Sequence, residues 1–288
     1  MHLNNVILRI NSTFYDFFGE YLMFVREVFP ELKQYCLKHG IDLVYDDVAF
    51  SVPEDKFNRQ IILQDLRCLD ADRTIFICFR GQRFGWRPSP DDINRLTLDE
   101  YPELVDYIGN LSITELAIMH ALKPFDKCID GKITELAPVK HALFYFRKPG
   151  YLDEINNSQK LHYINKSNGM DKSVLDMEID KAKDLIYEIK KEFDDNEDFN
   201  HYIEITEYDA KWDENLNLEM LMLEYTNEME KIKHSSLDYF VNVHREYLCD
   251  EKQGGLCNFT YGDDSLKEVM KNDILKALKI EFPENFKD

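Results

Sequence analysis

The run TIFICF, residues 74–79, reads apolar throughout. A six-residue segment rich in β-branched and aromatic residues is a strand by composition and length. A strand with no polar face has to be covered on both sides, which points to a parallel sheet between two layers of helices. Other short segments fit the same frame: VILRI (6–10), IDLVY (41–45) and HALFYF (141–146). HYIEITEY (201–208) alternates, as a half-buried or edge strand does.

Helical patterns separate these runs. From Asp16 to His39, Phe17, Tyr21, Phe24, Val25 and Val28 recur at spacings of three and four. Pro30 is expected to kink or divide that helix, and Gly40 to stop it. FNRQIILQDLRCLDAD, SITELAIMHAL and KSVLDMEIDKAKDLIYEIKKEF supply further helices. Strand and helix alternate about five times, which predicts a flavodoxin-like α/β domain with five parallel strands and helices on both faces. Its expected extent is residues 1–212, with a polar insertion at about 152–173. Residues 213–288 read as a C-terminal helical extension in which CDEKQGGLCNFTYGDD is a loop.

Charge narrows the partners. The chain has 35 Lys and Arg against 55 Asp and Glu, a net charge of −20. Most of the excess falls after residue 150. An acidic chain lacks the basic footprint of a nucleic-acid binder. None of the six cysteines forms a C-x-x-C pair, which fits a reducing compartment. The apolar runs are too short to span a bilayer, and MHLNNVILRI is not a signal peptide. The expectation is a soluble cytoplasmic protein with no nucleic-acid or membrane partner.

In a doubly wound sheet, ligands bind beyond the carboxyl ends of the strands. The loop after the first strand offers Ser12, Thr13 and Asp16 at a helix start, where free N–H groups can receive a phosphate and where Ser or Asp also serve as ordinary caps. The second loop offers Asp46 and Asp47, whose side chains point to opposite faces of an extended segment. The third, RGQRFGWRP, offers Arg80, Arg83 and Arg87 beside Phe84 and Trp86, a set able to pair phosphates and stack a base. No dinucleotide fingerprint, P-loop, zinc-like spacing or G-x-S-x-G elbow is present. Glu115 stands alone in the apolar stretch SITELAIMH. With Ser112 three residues earlier it spells a capping box, stapled by Leu111 and Leu116. The same carboxylate, at the start of the helix after the third strand, can face a ligand instead.

The segments NSTFYDFFGEY, VFPELKQYCLKHGIDLVYDD, FRGQRFGW, SITELAIMHAL and HALFYFRKPGYL occur in that order. Together they resemble the TIR-like domain found at the N-terminus of large STAND ATPases, including nephrocystin-like and telomerase-associated NACHT proteins and bacterial defence proteins. The resemblance covers residues 6–150. It implies a TIR-like fold, a NACHT-type or self-association partner, and, by likeness to NAD-cleaving TIR domains, a catalytic glutamate in the helix after the third strand. Glu115 matches that place by order of elements, although the usual Trp-Cys-x-x-Glu wording is absent. Ser12, Thr13, Phe14 and Asp16 match the first-strand motif, and Arg83, Gly85 and Trp86 the third. The chain departs after Asp47, where Val48, Ala49, Phe50 and Ser51 replace the family's Leu-Arg-Trp-Gly.

Three functions follow as expectations. The first is an NAD-hydrolysing effector in antiviral defence or cell death, with Glu115 catalytic, Ser12, Thr13, Phe14, Asp16, Asp47, Arg80, Arg83 and Trp86 holding the nucleotide, and NAD as substrate without a separate cofactor. The second is a non-catalytic oligomerisation or interaction module in which Glu115 only caps its helix. The third is a nucleotide-binding sensor.

Overall fold

The computed structural model describes residues 3–13, 16–47, 57–71, 73–122, 128–129, 132–133, 139–160, 162–164, 172–194, 202–233 and 253–287. The element order is β1 (Asn4–Asn11), α1 (Phe18–Met23), a π-helical turn (Phe24–Val28), α2 (Phe29–Lys38), β2 (Ile41–Asp47), α3 (Phe57–Leu69) and β3 (Thr74–Arg80). Then come α4 (Arg95–Glu100), α5 (Ile113–Ala121), a small hairpin of β4 (Cys128–Ile129) and β5 (Lys132–Ile133), β6 (His141–Arg147), α6 (Asn157–Lys160) and α7 (Lys172–Asp194). The chain closes with β7 (Tyr202–Asn217), α8 (Leu218–Lys233), β8 (Gln253–Tyr261), β9 (Asp264–Ser265) and α9 (Leu266–Glu281).

The class is α/β, and the sheet is larger than five strands. Its order is β2-β1-β3-β6-β7-β8-β9, a mixed sheet of seven. The first five pair in parallel. β8 and β9 extend the edge antiparallel. The expected loop at CDEKQGGLCNFTYGDD therefore contains a strand and its turn, and the region after residue 213 is not all helical. The reason lies across the ladder. Gly254 has φ +103, and a Cβ there would lie 1.8 Å from Trp212 Cζ2. The glycine is a seat for the indole rather than a turn, a demand no local pattern announces.

β3 and β6 are buried along their full length. Their side chains sort by parity, as a strand's must. Ile75, Ile77, Phe79, Leu143 and Tyr145 join the core under α1, α2, α8 and α9. Phe76, Cys78, Ala142, Phe144 and Phe146 join the core under α5 and α7. The five apolar residues predicted for the first helical stretch are all at most 3% exposed. The helical run divides near Pro30, as expected, with Pro30 in the first turn of α2. A π-helical turn precedes it, with the Phe29 N–H bonding back to Phe24 O, and absorbs the missing register there. Gly40, at φ 75, ends it as expected.

The acidic tail packs on the domain. Met222, Tyr225, Met270 and Ile274 are fully buried in the larger core. Its charges meet cations of the first helices: Arg26 pairs with Glu224 at 2.8 Å and Glu228 at 3.1 Å. Among the described residues no helix is long and apolar enough to cross a membrane.

Two kinds of ion pair predict two sizes of effect. Arg147, Asp16 and Glu20 are fully enclosed, at 3.0 and 2.7 Å. Arg147→Met leaves two carboxylates buried without their cation and should cost about 3–5 kcal/mol in urea unfolding. Arg26→Ala, at the surface, should cost no more than about 1 kcal/mol. Equal losses would show that the buried cluster is not the stronger tie.

Candidate functional site

The carboxyl ends of β1, β3 and β6 share one end of the sheet because these strands run parallel, and β7 runs on past them. The helix following β1 packs on one face and the helix α5 following β3 on the other. β1 and β3 are neighbours, so the crevice between their ends is a topological switch point. Three segments meet there. Thr114 Oγ1 donates to Ser12 O at 3.2 Å, and the Ile113 N–H donates to Trp86 O at 3.0 Å. Gly85 has φ +105, and a Cβ on it would lie 3.3 Å from both Thr13 Cγ2 and Ser112 Cβ. Only glycine allows this backbone to pass so close to both neighbours.

Glu115 forms the capping box its sequence spells. Its Oε2 accepts the Ser112 N–H at 2.9 Å and the Ser112 hydroxyl at 3.1 Å, and its own N–H donates to Ser112 Oγ at 3.3 Å. Oε1 takes no part in the box. The residue is 5% exposed. It also lines a pocket of about 210 Å³ between the 84–87 loop, α5 and α7. Phe84, Leu111, Ile118, Met119 and Leu185 make the apolar lining, and Asn110, Glu115 and Lys181 the polar part. Burial raises the carboxyl above the ordinary carboxylate range, opposed by the Ser112 bonds and by the charges of Arg80 and Arg87.

Among the described residues, Ser12, Thr13, Asp16, Arg80, Arg83 and Trp86 do not line this pocket. Ser12 Oγ bonds the Tyr21 hydroxyl, and Thr13 Oγ1 donates to Asp16 Oδ1 at 2.6 Å. Asp16 is 2% exposed and paired with Arg147. These three side chains are thus tied into the framework. Arg83 leans toward Asp16 Oδ1 at 3.9 Å and the His162 carbonyl at 3.4 Å. Arg87 stacks over Phe84 at 4.1 Å. Trp86 is 45% exposed, so it presents a free face instead of packing under the sheet. Arg80 is buried and lines a different cavity beyond β6. Asp46 is held by Arg9 at 2.6 Å. Phe14 and the Asp47 side chain lie outside the described residues, as does the loop at 48–56.

Two features were missed in the sequence and had a signal. Arg147 closes the apolar run HALFYF, where a charge ending a fully covered strand must find buried partners. Glu20 follows Phe17 by three and precedes Phe24 by four, which places it on the buried face of its helix. Arg147 Nη1 donates to Glu20 Oε1 at 2.7 Å, and the Tyr208 hydroxyl donates to the same oxygen at 2.7 Å. Among the described residues no cluster of His, Cys, Asp and Glu is arranged to hold a metal ion.

The fold and crevice define an α/β protein with a ligand-sized pocket beside a switch point. Over 166 residues the chain is 29% identical to telomerase protein component 1 of Rattus norvegicus and 28% identical to that of Mus musculus. Each match covers 57% of this chain and 6% of the relative. A TPR repeat-containing protein of Dictyostelium discoideum is 25% identical over 169 residues, 54% of this chain and 9% of its own length. The chain therefore spans less than a tenth of these relatives. No family model and no solved structure matches it.

The capping box yields a titration. A carboxyl whose folded pKa is raised stabilises the fold below its unfolded pKa, and that stability is lost as pH rises through the folded value. Wild type should therefore lose stability relative to Glu115→Gln as pH rises above about 4.5. Ser112→Ala should cost about 0.5–2 kcal/mol, and more once Glu115 is ionised, because the lost hydroxyl donates to its carboxylate. Urea unfolding across pH checks both. A wild type that gains on Glu115→Gln with rising pH would mean that the cap, not burial, sets the carboxyl's pKa.

Proposed function

We propose that this chain is a TIR-like effector domain that hydrolyses the N-glycosidic bond of NAD or a related nucleotide, with Glu115 as the catalytic carboxylate. The observation that carries the reading is the division of labour within one side chain. Oε2 is fixed by Ser112, while Oε1 stays outside the capping box, in a residue that lines an apolar pocket beside the β1–β3 crevice. A carboxylate held rigidly in a poorly solvated pocket is suited to stabilise positive charge that develops only in the transition state.

In this reading the pocket takes one ring of the substrate, since about 210 Å³ is too small for a dinucleotide. The C1′–N bond breaks with its electron pair leaving on the base, and the ribosyl cation faces Glu115. Water adds to C1′ and gives up its proton, so the products are free base, the remaining ribosyl nucleotide and one proton. Trp86, by its exposure, offers a stacking face outside the pocket. The role fits a defence or cell-death effector, and the small share of each relative that aligns fits one module of a larger STAND-type assembly. Self-association or such a partner would complete the outer part of the site.

A second reading has its own observation. The capping box is complete, so Glu115 already has a structural task. A non-catalytic interaction module, or a sensor that binds nucleotide without cutting it, needs nothing more.

Nicotinamide release from NAD, followed by chromatography over a range of protein concentrations, separates these readings. Wild type should release nicotinamide, with activity rising as pH rises because the ionised carboxylate is the working form. Glu115→Gln should lose about a hundredfold or more while melting within a few degrees of wild type. Undiminished turnover in a folded Glu115→Gln would sink the assignment.

A further inference from the structure

The described residues include three arginines that are at most 2% exposed: Arg9, Arg80 and Arg147. Two of them are built into the fold in the same way, each between two carboxylates. Arg9 pairs with Asp46 at 2.6 Å and Asp65 at 2.7 Å. Arg147 pairs with Asp16 at 3.0 Å and Glu20 at 2.7 Å. Arg80 departs from this rule. It is the last residue of β3 and 1% exposed, and neither Nη1 nor Nη2 has a hydrogen-bond partner. A guanidinium stays charged at any physiological pH and presents a fork of N–H donors. Enclosing one without an acceptor is costly, so its persistence asks for a partner from outside the chain.

The surroundings say what partner fits. Arg80 lines a cavity of about 300 Å³ at the carboxyl ends of β3 and β6, beside Glu207 of β7, with Lys148 and Lys183 among its walls. Lys148 is committed to Asp209 at 2.8 Å and Lys183 to Glu207 at 2.6 Å. Asp180 of α7 also lines the cavity, and Arg147 in its wall is already paired. Two lysines are matched by two carboxylates, and Arg80 is the cation left without a hydrogen-bonded counterpart among the described residues of the cavity wall. Its fork matches two oxygens of a tetrahedral oxyanion.

We propose that this cavity is a phosphate-binding site anchored by Arg80, taking free phosphate or the phosphate group of a nucleotide. It lies beyond the apolar pocket of Glu115 and does not depend on NAD cleavage.

The test is calorimetry and thermal melting of the whole chain in chloride buffer, with inorganic phosphate in one arm and AMP in the other. Wild type should bind phosphate and melt higher in its presence. Tighter binding of AMP would assign the site to a nucleotide, and equal or weaker binding to the free anion. Arg80→Met should weaken binding about tenfold or more. Without phosphate it should melt no lower than wild type, because an apolar chain replaces an unmatched buried charge. Glu207→Gln removes a carboxylate from the cavity and frees Lys183, so it should bind phosphate several-fold more tightly. That variant decides the matter even if Arg80→Met fails to fold. The proposal is overturned if wild type binds neither probe, if folded Arg80→Met binds as wild type does, or if Glu207→Gln binds more weakly.

Discussion

One buried guanidinium holds the functional end of the sheet together. Arg147 ends β6 and reaches across to the turn after β1, donating from Nη1 to Glu20 Oε1 and Asp16 O and from Nη2 to Asp16 Oδ2. The Phe17 ring stacks on it at 4.2 Å, with Tyr151 at 5.0 Å. Tyr208 adds β7 to the same cluster through Glu20. Gly81 is small because Arg147 Nη2 passes beside it, 2.9 Å from where a Cβ would sit. Burial alone raises the Glu20 carboxyl, and Arg147 and Tyr208 pull against that rise. Such a cluster gains little net stability over an apolar core, but it tolerates no partial disassembly. It therefore fixes the relative positions of the four strands at that end, and the crevice rests on them.

Much of the fold could be read in the chain because burial on both faces leaves a plain trace. TIFICF and HALFYF are strands with no polar side, and nothing else fits them. The C-terminal edge left no such trace. The second half of β7, DAKWDENLN, is polar because it lies at the solvated margin, and β8 carries two adjacent glycines that look like a turn. Its pairing depends on Trp212 lying over Gly254, a contact between residues forty-two positions apart. Local periodicity has no access to that distance.

The site was legible in part for the same reason. The capping box is a local motif, four residues long, and it forms as spelled. The expected set of Ser12, Thr13, Asp16, Arg80 and Arg83 is a list of polar residues at strand ends, and polar residues there have two destinations. Asp16 went inward to Arg147, Ser12 to Tyr21, and Arg83 toward Asp16 and a carbonyl. For Asp16 the inward turn depends on where Arg147 comes to rest, more than a hundred residues later in the sequence.

Glu115 and Arg80 are related by charge. They make no hydrogen bond to each other, yet the Arg80 charge opposes the upward push that burial gives the Glu115 carboxyl. An anion seated on Arg80 would cancel part of that field, and the carboxyl would hold its proton more tightly. By linkage the reverse also holds, so protonating Glu115 would strengthen the attraction of Arg80 for an anion. The two pockets, one apolar with a carboxyl and one polar with an unmatched cation, both border α7. If the acid must be ionised to work, a phosphate bound at Arg80 acts against it.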